Sequence, residues 1–217
     1  HDGKLHGMEA LLRWNNKQLG QLTPAYFMSI AEETGHIIDI GDWVLKHSCQ
    51  QLLVWQTKYA DRFPDLSLSV NLSDVQITLA VIEPLVEYIA NTFPLQKNSL
   101  ELEITESALI KDAASSATLL NKLTQHGISI SLDDFGTGYC SLEYLKLFPV
   151  SVLKIDQSFI ASIGKEKRDE LLLVALIAFA KALSMKVVAE GVETLQQAHF
   201  CAQHGCDLLQ GFFYSPP

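Results

Sequence analysis

The sequence predicts an α/β fold, a modified TIM-type (β/α)8 barrel whose N-terminal strand is missing from this chain. Three observations lead there. Short apolar alternations and helix-length patterns take turns along the whole chain, as repeated βα units require. Within the strand candidates one parity is apolar and the other polar, so one face meets helices and the other lines an interior. A doubly wound sheet, covered by helices on both faces, would read as nearly continuous apolar runs instead. Seven strands are legible in 217 residues, whereas a complete barrel of this kind has eight strands and about 250 residues.

The elements follow in order. MEALLRW, residues 8–14, is the first strand, and Thr23 caps a helix over residues 24–33 that opens on Pro24, where a missing N–H costs nothing. A long helical pattern covers residues 39–59. In LSLSVNL, residues 66–72, Leu66, Leu68 and Val70 alternate with Ser67, Ser69 and Asn71. A helix over 81–92, the strand LELEIT over 100–105 and a helix over 115–126 come next. ISISLD, residues 128–133, sets Ile128, Ile130 and Leu132 against Ser129, Ser131 and Asp133, and a short helix is expected over 141–147. VLKID, residues 152–156, repeats the alternation with Leu153 and Ile155 against Lys154 and Asp156. The helix over 167–183 contains LLLVALIAFA, ten apolar residues between Glu170 and Lys181. That run is too short to span a bilayer and reads as a buried helix. KVVAEG (186–191), a helix over 195–204 and DLLQG (207–211) complete the series. Gly35, Gly127 and Gly205 stand where helices end in the left-handed conformation that glycine adopts without strain.

A hydrophobic content of 48% suits one large core, so residues 1–217 read as a single domain, N-terminally incomplete. The formal net charge of −9 and the lack of a basic stripe exclude a DNA or RNA polymer as partner. Cys49, Cys140, Cys201 and Cys206 show no CxxC spacing, which suits reduced thiols in a cytoplasm. The chain is expected there either free or as the cytoplasmic part of a membrane-anchored protein.

Barrel chemistry sits at the C-terminal ends of strands. The polar parity at those ends supplies Glu9 and Arg13, Asn71, Glu103, Asp133 with Asp134, Lys154, Glu190 and Gln210, with Glu106 and Glu193 just beyond. Carboxylates converging in one mouth repel one another unless cations neutralise them. Carboxylates plus an amide suit Mg²⁺ or Mn²⁺ rather than a thiolate metal, and a carboxylate such as Asp133 can bridge two ions, an arrangement used for in-line displacement at phosphorus. Each residue also has a plain structural reading. Glu9 is one inward acid, Asn71 can begin a turn, Lys154 can pair with Asp156 or another nearby acid, and Glu190 and Gln210 each precede a glycine. Turn chemistry alone does not place a ligand-type or basic residue at the end of six consecutive strands. The DFG of Asp134 to Gly136 is shared with protein kinases, but no VAIK strand or HRD loop accompanies it, and Gly136 with Gly138 lack the rest of a GxGxxG cradle.

With these residues in view, the sequence resembles the EAL domains, phosphodiesterases of the bacterial second messenger cyclic di-GMP. The motifs are EALLRW (9–14), AEETGHI (31–37), IGDWVL (40–45), SVNLS (69–73), LEITES (102–107), DDFGTGY (133–139), LKID (153–156), VVAEGVET (187–194) and GCDLLQG (205–211). The resemblance implies a modified TIM barrel that hydrolyses cyclic di-GMP to linear pGpG with two Mg²⁺ or Mn²⁺ ions, and Ca²⁺ is expected to inhibit. By motif match, Glu9, Asn71, Glu103 and Asp133 ligate one ion, Asp133 and Asp134 serve the second, and Glu190 and Gln210 complete the metal and water network. Lys154, Glu190 and Glu9 form the catalytic group, with Lys154 beside the attacking water. Arg13 and Leu11 contact substrate, while Glu106 and Glu193 support the neighbouring loops. A homodimer through the loop after Asp134 and upstream sensory or GGDEF-type domains are further implications, and the glycines after Asp134 are expected to make that loop mobile. The chain departs from the family pattern in lacking the strand before EAL, at Cys140 and Gln157, and in RWNNKQLGQLTP. The alternative is a catalytically silent EAL domain that acts as a cyclic di-GMP receptor or a protein-interaction module; such members lose acids that this chain keeps.

Overall fold

The computed structural model describes residues 3–78, 81–110, 112–136 and 145–216. Within them the main-sheet strands are β1 (Gly7–Ala10), β4 (Ser67–Asn71), β5 (Leu100–Thr105), β6 (Ser129–Phe135), β7 (Val152–Ile155), β8 (Lys186–Ala189) and β9 (Leu208–Leu209). All neighbours pair in parallel in the order β1-β4-β5-β6-β7-β8-β9. The helices are α1 (Met28–Glu33), α2 (Ile37–Lys58), α3 (Asp74–Thr78), α4 (Ile82–Thr92), α5 (Glu106–Ile110), α6 (Ala113–Gln125), α7 (Gln157–Ala161), α8 (Lys167–Ala182) and α9 (Leu195–His204). The sheet curls as a TIM-type barrel does, and its first and last strands meet through side chains: Gln210, just after β9, donates from Nε2 to Oε2 of Glu9 on β1 at 2.7 Å.

Strand parity explains where the core lies. Leu68, Val70, Leu102, Ile104, Ile130 and Leu132 are all buried and belong to the hydrophobic core beneath the helices. The other parity turns Ser69, Asn71, Glu103, Ser131 and Asp133 inward, so the polar groups converge on the barrel axis.

Several elements differ from the sequence reading. The first strand stops at Ala10 because residues 14–16 leave the barrel for a two-stranded hairpin, β2 (Trp14–Asn16) with β3 (Gly20–Leu22). Its turn is built locally: Oδ1 of Asn16 accepts from the N–H groups of Gln18 and Leu19 at 2.8 and 3.1 Å, and Gly20 takes φ +75°. The Thr23 side chain caps nothing, and the expected helix over 24–33 is a 3-10 turn, Pro24–Tyr26, followed by α1. Helices α3, α5 and α7 are additional. The expected helix over 141–147 and Cys140 fall outside the described residues apart from positions 145–147. The LLLVALIAFA helix is not buried all round, since Leu173, Ile177 and Ala180 are in the core while Leu171 and Leu172 are exposed. Gly35, Gly127 and Gly205 do end α1, α6 and α9 with positive φ. Cys49, Cys201 and Cys206 are buried free thiols, and among the described residues no helix is long and apolar enough to cross a membrane.

Candidate metal centre

The two adjacent aspartates reach one mouth through a β-bulge. On β6 and β7, Leu132 pairs with Leu153 and Phe135 with Ile155, so Asp133 and Asp134 together oppose the single residue Lys154. Asp134 occupies the left-handed region at φ +53°, a conformation that Asp and Asn tolerate better than other non-glycine residues. The extra residue also resets the parity, so Phe135 returns to the helix side, where its ring stacks on Phe179 of α8 at 6.4 Å between centroids. Contrary to the sequence reading, the strand does not end at Asp133. Gly136, at φ +99°, comes so close to α7 that a Cβ there would lie 2.7 Å from the Phe159 ring, so this glycine serves close packing. Gly138 and the rest of the loop after Asp134 lie outside the described residues.

Lys154 is the hub. It is 2% exposed, and its Nζ lies 2.6 Å from Glu103 Oε1, 2.7 Å from Glu190 Oε1, 3.6 Å from Asp133 Oδ1 and 3.8 Å from Glu9 Oε2. Its partners are therefore these four acids and not Asp156, whose Oδ1 accepts from the Ser158 N–H at 3.0 Å and caps α7. Glu9 is held by two amides, Asn71 Nδ2 on Oε1 and Gln210 Nε2 on Oε2, both at 2.7 Å. The loop carrying Glu190 is fastened by a reciprocal cap: the Gln197 N–H donates to Thr194 Oγ1, and Gln197 Oε1 accepts from the N–H groups of Glu193 and Thr194.

Lys154 lies at hydrogen-bonding distance from one oxygen each of Glu103 and Glu190, while Glu103 Oε2 and Asp133 Oδ1 are buried with no hydrogen-bond partner. Burial pushes Glu103 up to about 8 and Glu190 up to about 7, against the partial relief of Lys154. Asp134 is raised as well, by burial and then by Asp133. Burial alone would lower the Lys154 ammonium, but Glu103, Glu190, Asp133 and Glu9 outweigh it and hold the group above its ordinary value. Oxygens of Asp133, Asp134 and Glu190 lie within 4.8 Å of one another. Glu9, Glu103, Asp133, Asp134 and Glu190 thus face one ammonium. Fully ionised they leave an excess of negative charge and buried acceptor oxygens without donors, the condition that oxygen-ligated divalent cations satisfy. The residues present fit such ions.

Of the other residues read from the sequence, Arg13 is not seen among the acids: its Nη1 donates to the neighbouring Leu12 carbonyl at 2.8 Å. Leu11 is exposed, Glu106 is buried at the start of α5, and Glu193 is exposed beyond β8. One acid escaped the reading. Glu101 shares the inward parity of Glu103 one step down β5 and is also raised by burial, against partial relief from Ser131 and Lys154. The alternation in LELEIT carried that signal.

The bulge gives a separable expectation for Asp134. Asp134→Ala should lose the carboxylate and also destabilise the metal-free protein by about 1–2 kcal/mol, the left-handed penalty for an ordinary residue. Asp134→Asn should lose the carboxylate while melting near the parent. Equal melting temperatures for the two variants would show that the backbone strain is not carried there.

Fold and site together define a class of protein: a parallel α/β barrel with an acid-lined, lysine-centred cluster, able to bind metal, at the C-terminal ends of its strands. The chain belongs to the EAL domain family, whose model matches residues 1–217. It is 42% identical over 216 residues to MucR of Pseudomonas aeruginosa, a bifunctional diguanylate cyclase/cyclic di-GMP phosphodiesterase, covering 100% of this chain and 31% of that protein. It is 40% identical over 216 residues to NbdA of the same organism, a cyclic di-GMP phosphodiesterase, covering 100% of this chain and 27% of that protein. The chain therefore spans about a third or less of the length of these relatives. Among solved structures, the PaMucR phosphodiesterase in its c-di-GMP complex superposes with a TM-score of 0.90 at 42% identity, over 96% of this chain and 83% of that one. The EAL enzyme Bd1971, bound to cAMP and cyclic di-GMP, superposes with a TM-score of 0.93 at 32% identity, over 99% of this chain and 58% of that one.

Proposed function

We propose that this domain hydrolyses cyclic di-GMP to linear pGpG, adding one water across one of the two phosphodiester bonds. The observation that carries the reading is the converging set Glu9, Asn71, Glu103, Asp133, Asp134, Glu190 and Gln210 around Lys154, with buried carboxylate oxygens left for a cation. Those seven residues would hold two Mg²⁺ or Mn²⁺ ions. Bound, such ions supply positive charge to the phosphodiester oxygens and make water more acidic at neutral pH.

The chain's own groups divide the remaining work. Lys154, kept protonated by its four acids, orients the attacking water as a hydrogen-bond donor rather than removing its proton. Glu190, 2.7 Å from that ammonium, is placed to accept the proton. Glu9, fixed by Asn71 and Gln210, keeps the two sides of the mouth in register. The water oxygen bonds to phosphorus as the bond from phosphorus to the 3′-oxygen breaks, and that oxygen leaves with the bonding pair and takes up a proton from solvent to become the 3′-hydroxyl. Arg13 and Leu11 would turn to the substrate once it binds, and Glu106 and Glu193 would steady the loops beside the mouth. We place the domain in a cytoplasm, with a GGDEF-type or sensory domain upstream and a homodimer as the working unit.

The test is incubation with cyclic di-GMP and either Mg²⁺ or Mn²⁺, followed by identification of the product. The expected product is pGpG with both ions, and none with Ca²⁺, which prefers a larger and looser oxygen shell. Tight binding of cyclic di-GMP without pGpG would reject the reading in favour of a receptor, and efficient hydrolysis with Ca²⁺ would reject the assignment of the ions.

A further inference from the structure

Helix α9 ends in a Schellman motif that carries a cysteine at each of its two contact positions. Gly205 takes φ +99°. Its N–H donates to the Ala202 carbonyl at 3.3 Å, and the Cys206 N–H reaches back to the Cys201 carbonyl at 3.0 Å. In this motif the residues that share the longer-range hydrogen bond also bring their side chains together, and the contact is usually apolar. Here those residues are Cys201 and Cys206, 0% and 3% exposed within the hydrophobic core. The backbone bond also keeps their α-carbons within the distance that a disulfide spans.

The pair differs from the third described thiol. Cys49 is equally buried, and burial alone pushes it up to about 12. Cys201 is drawn below its ordinary value, because a hydrogen bond from Cys206 outweighs burial, while Cys206 is raised by the same contact and then by burial. One sulfur is thus the better nucleophile and its neighbour holds the proton. Two sulfurs alone do not close a zinc shell, which takes four ligands. Among the described residues the side chains grouped to hold a metal are Asp133, Asp134 and Glu190 in the barrel mouth.

We propose that Cys201 and Cys206 form a dithiol modification site that takes a hydroperoxide as oxidant and closes to an intrachain disulfide. With hydrogen peroxide, the Cys201 sulfur bonds to one oxygen as the O–O bond breaks, and the departing oxygen takes the Cys201 proton and leaves as water. The sulfenic acid so formed is attacked by the Cys206 sulfur: the S–S bond forms, the S–O bond breaks, and that oxygen leaves with the Cys206 proton as a second water. The thiols lose two hydrogens and two electrons, and the peroxide is reduced to two waters. Access lies beneath the turn after β9. Tyr214 on that turn is half-exposed, and its phenol is raised by burial and then by the neighbouring Cys201. Backbone hydrogen bonds from Phe213 to Val192 and from Tyr214 to Gly211 hold the turn down. Lifting it uncovers Cys201, and the closed disulfide then staples the end of α9 to the start of β9.

The experiment treats the intact, reduced protein with hydrogen peroxide, alkylates the remaining thiols after unfolding and digests with trypsin. No Lys or Arg follows Lys186, so both cysteines fall in one peptide, residues 187–217. That peptide should lose two hydrogens and take up no alkyl group, and dithiothreitol should restore both thiols. The peptide carrying Cys49 should stay reduced. Tyr214→Ala should speed closure about ten-fold by making local opening easier, and in Cys206→Ser the oxidation of Cys201 should run on to a sulfinic acid that dithiothreitol does not reverse. The oxidised protein should melt above the reduced one. Alkylation at both Cys201 and Cys206, or a bond from either to Cys49 or Cys140, would overturn the site. An unchanged rate in Tyr214→Ala would overturn the access route, and a melting temperature that does not rise would overturn the staple. None of these readouts depends on hydrolysis, so they stand apart from failure of the phosphodiesterase reading.

Discussion

Replacing Lys154 by methionine should sharply slow turnover and leave a metal-free protein that divalent cations restabilise. Lys154 is the single cation within 4 Å of Glu9, Glu103, Asp133 and Glu190 among the described residues. Methionine fills a similar volume but leaves those carboxylates facing one another. Removing one partner of a buried ion pair costs about 3–5 kcal/mol. The cost is reduced to the extent that Glu103 and Glu190, already pushed up by burial, take up protons. Loss of a donor that orients the reacting water should reduce kcat by about 10²–10³. Thermal melts with chelator and with Mn²⁺ check the first statement, and kcat at saturating metal checks the second. A melting temperature independent of Mn²⁺ would show that the acids are not a cation site.

Glu9→Ala should fail in a different way. The substitution removes one proposed ligand and also leaves the Asn71 and Gln210 amides without their shared acceptor. Turnover should be lost because a two-ion centre with a ligand missing no longer holds both ions in register. The metal-free protein should lose about 1–2 kcal/mol for the two abandoned amides. Calorimetric titration with Mn²⁺ should show fewer than the parent's number of bound ions. A rate near that of the parent would reject the assignment of Glu9.

The inward acids were legible because the alternation period of a strand is short and strict. Once Leu68 and Val70, or Ile130 and Leu132, are given to the core, Asn71 and Asp133 have only the interior left. The strand over Leu100–Thr105 and the helix over Leu195–His204 were readable to the residue. In α9 the Thr194 cap and the left-handed Gly205 mark both ends with chemistry that the sequence displays. The bulge was not legible. It depends on Asp134 adopting a positive φ and on Phe135 finding Phe179, a contact between residues far apart in the chain. The hairpin after β1 was missed because WNN and GQL are too short and too polar to show alternation. Lys154 stayed ambiguous because Asp156 lies two residues away, and only the fold reveals that Asp156 is committed to capping α7.

The hydrogen bond between Gln210 and Glu9 joins positions 201 apart in sequence. Closing so long a loop is entropically costly and comes late in folding, after the local βα units have formed. Glu9 is therefore clamped only when the segments carrying residues 9 and 210 have met. A chain still emerging from the ribosome, or one arrested with its last strand unpaired, has Glu103, Asp133 and Lys154 but lacks the clamp that orders Glu9. Order at Glu9 is thus a report on completed folding, because no partial stretch of the chain holds both ends of that clamp.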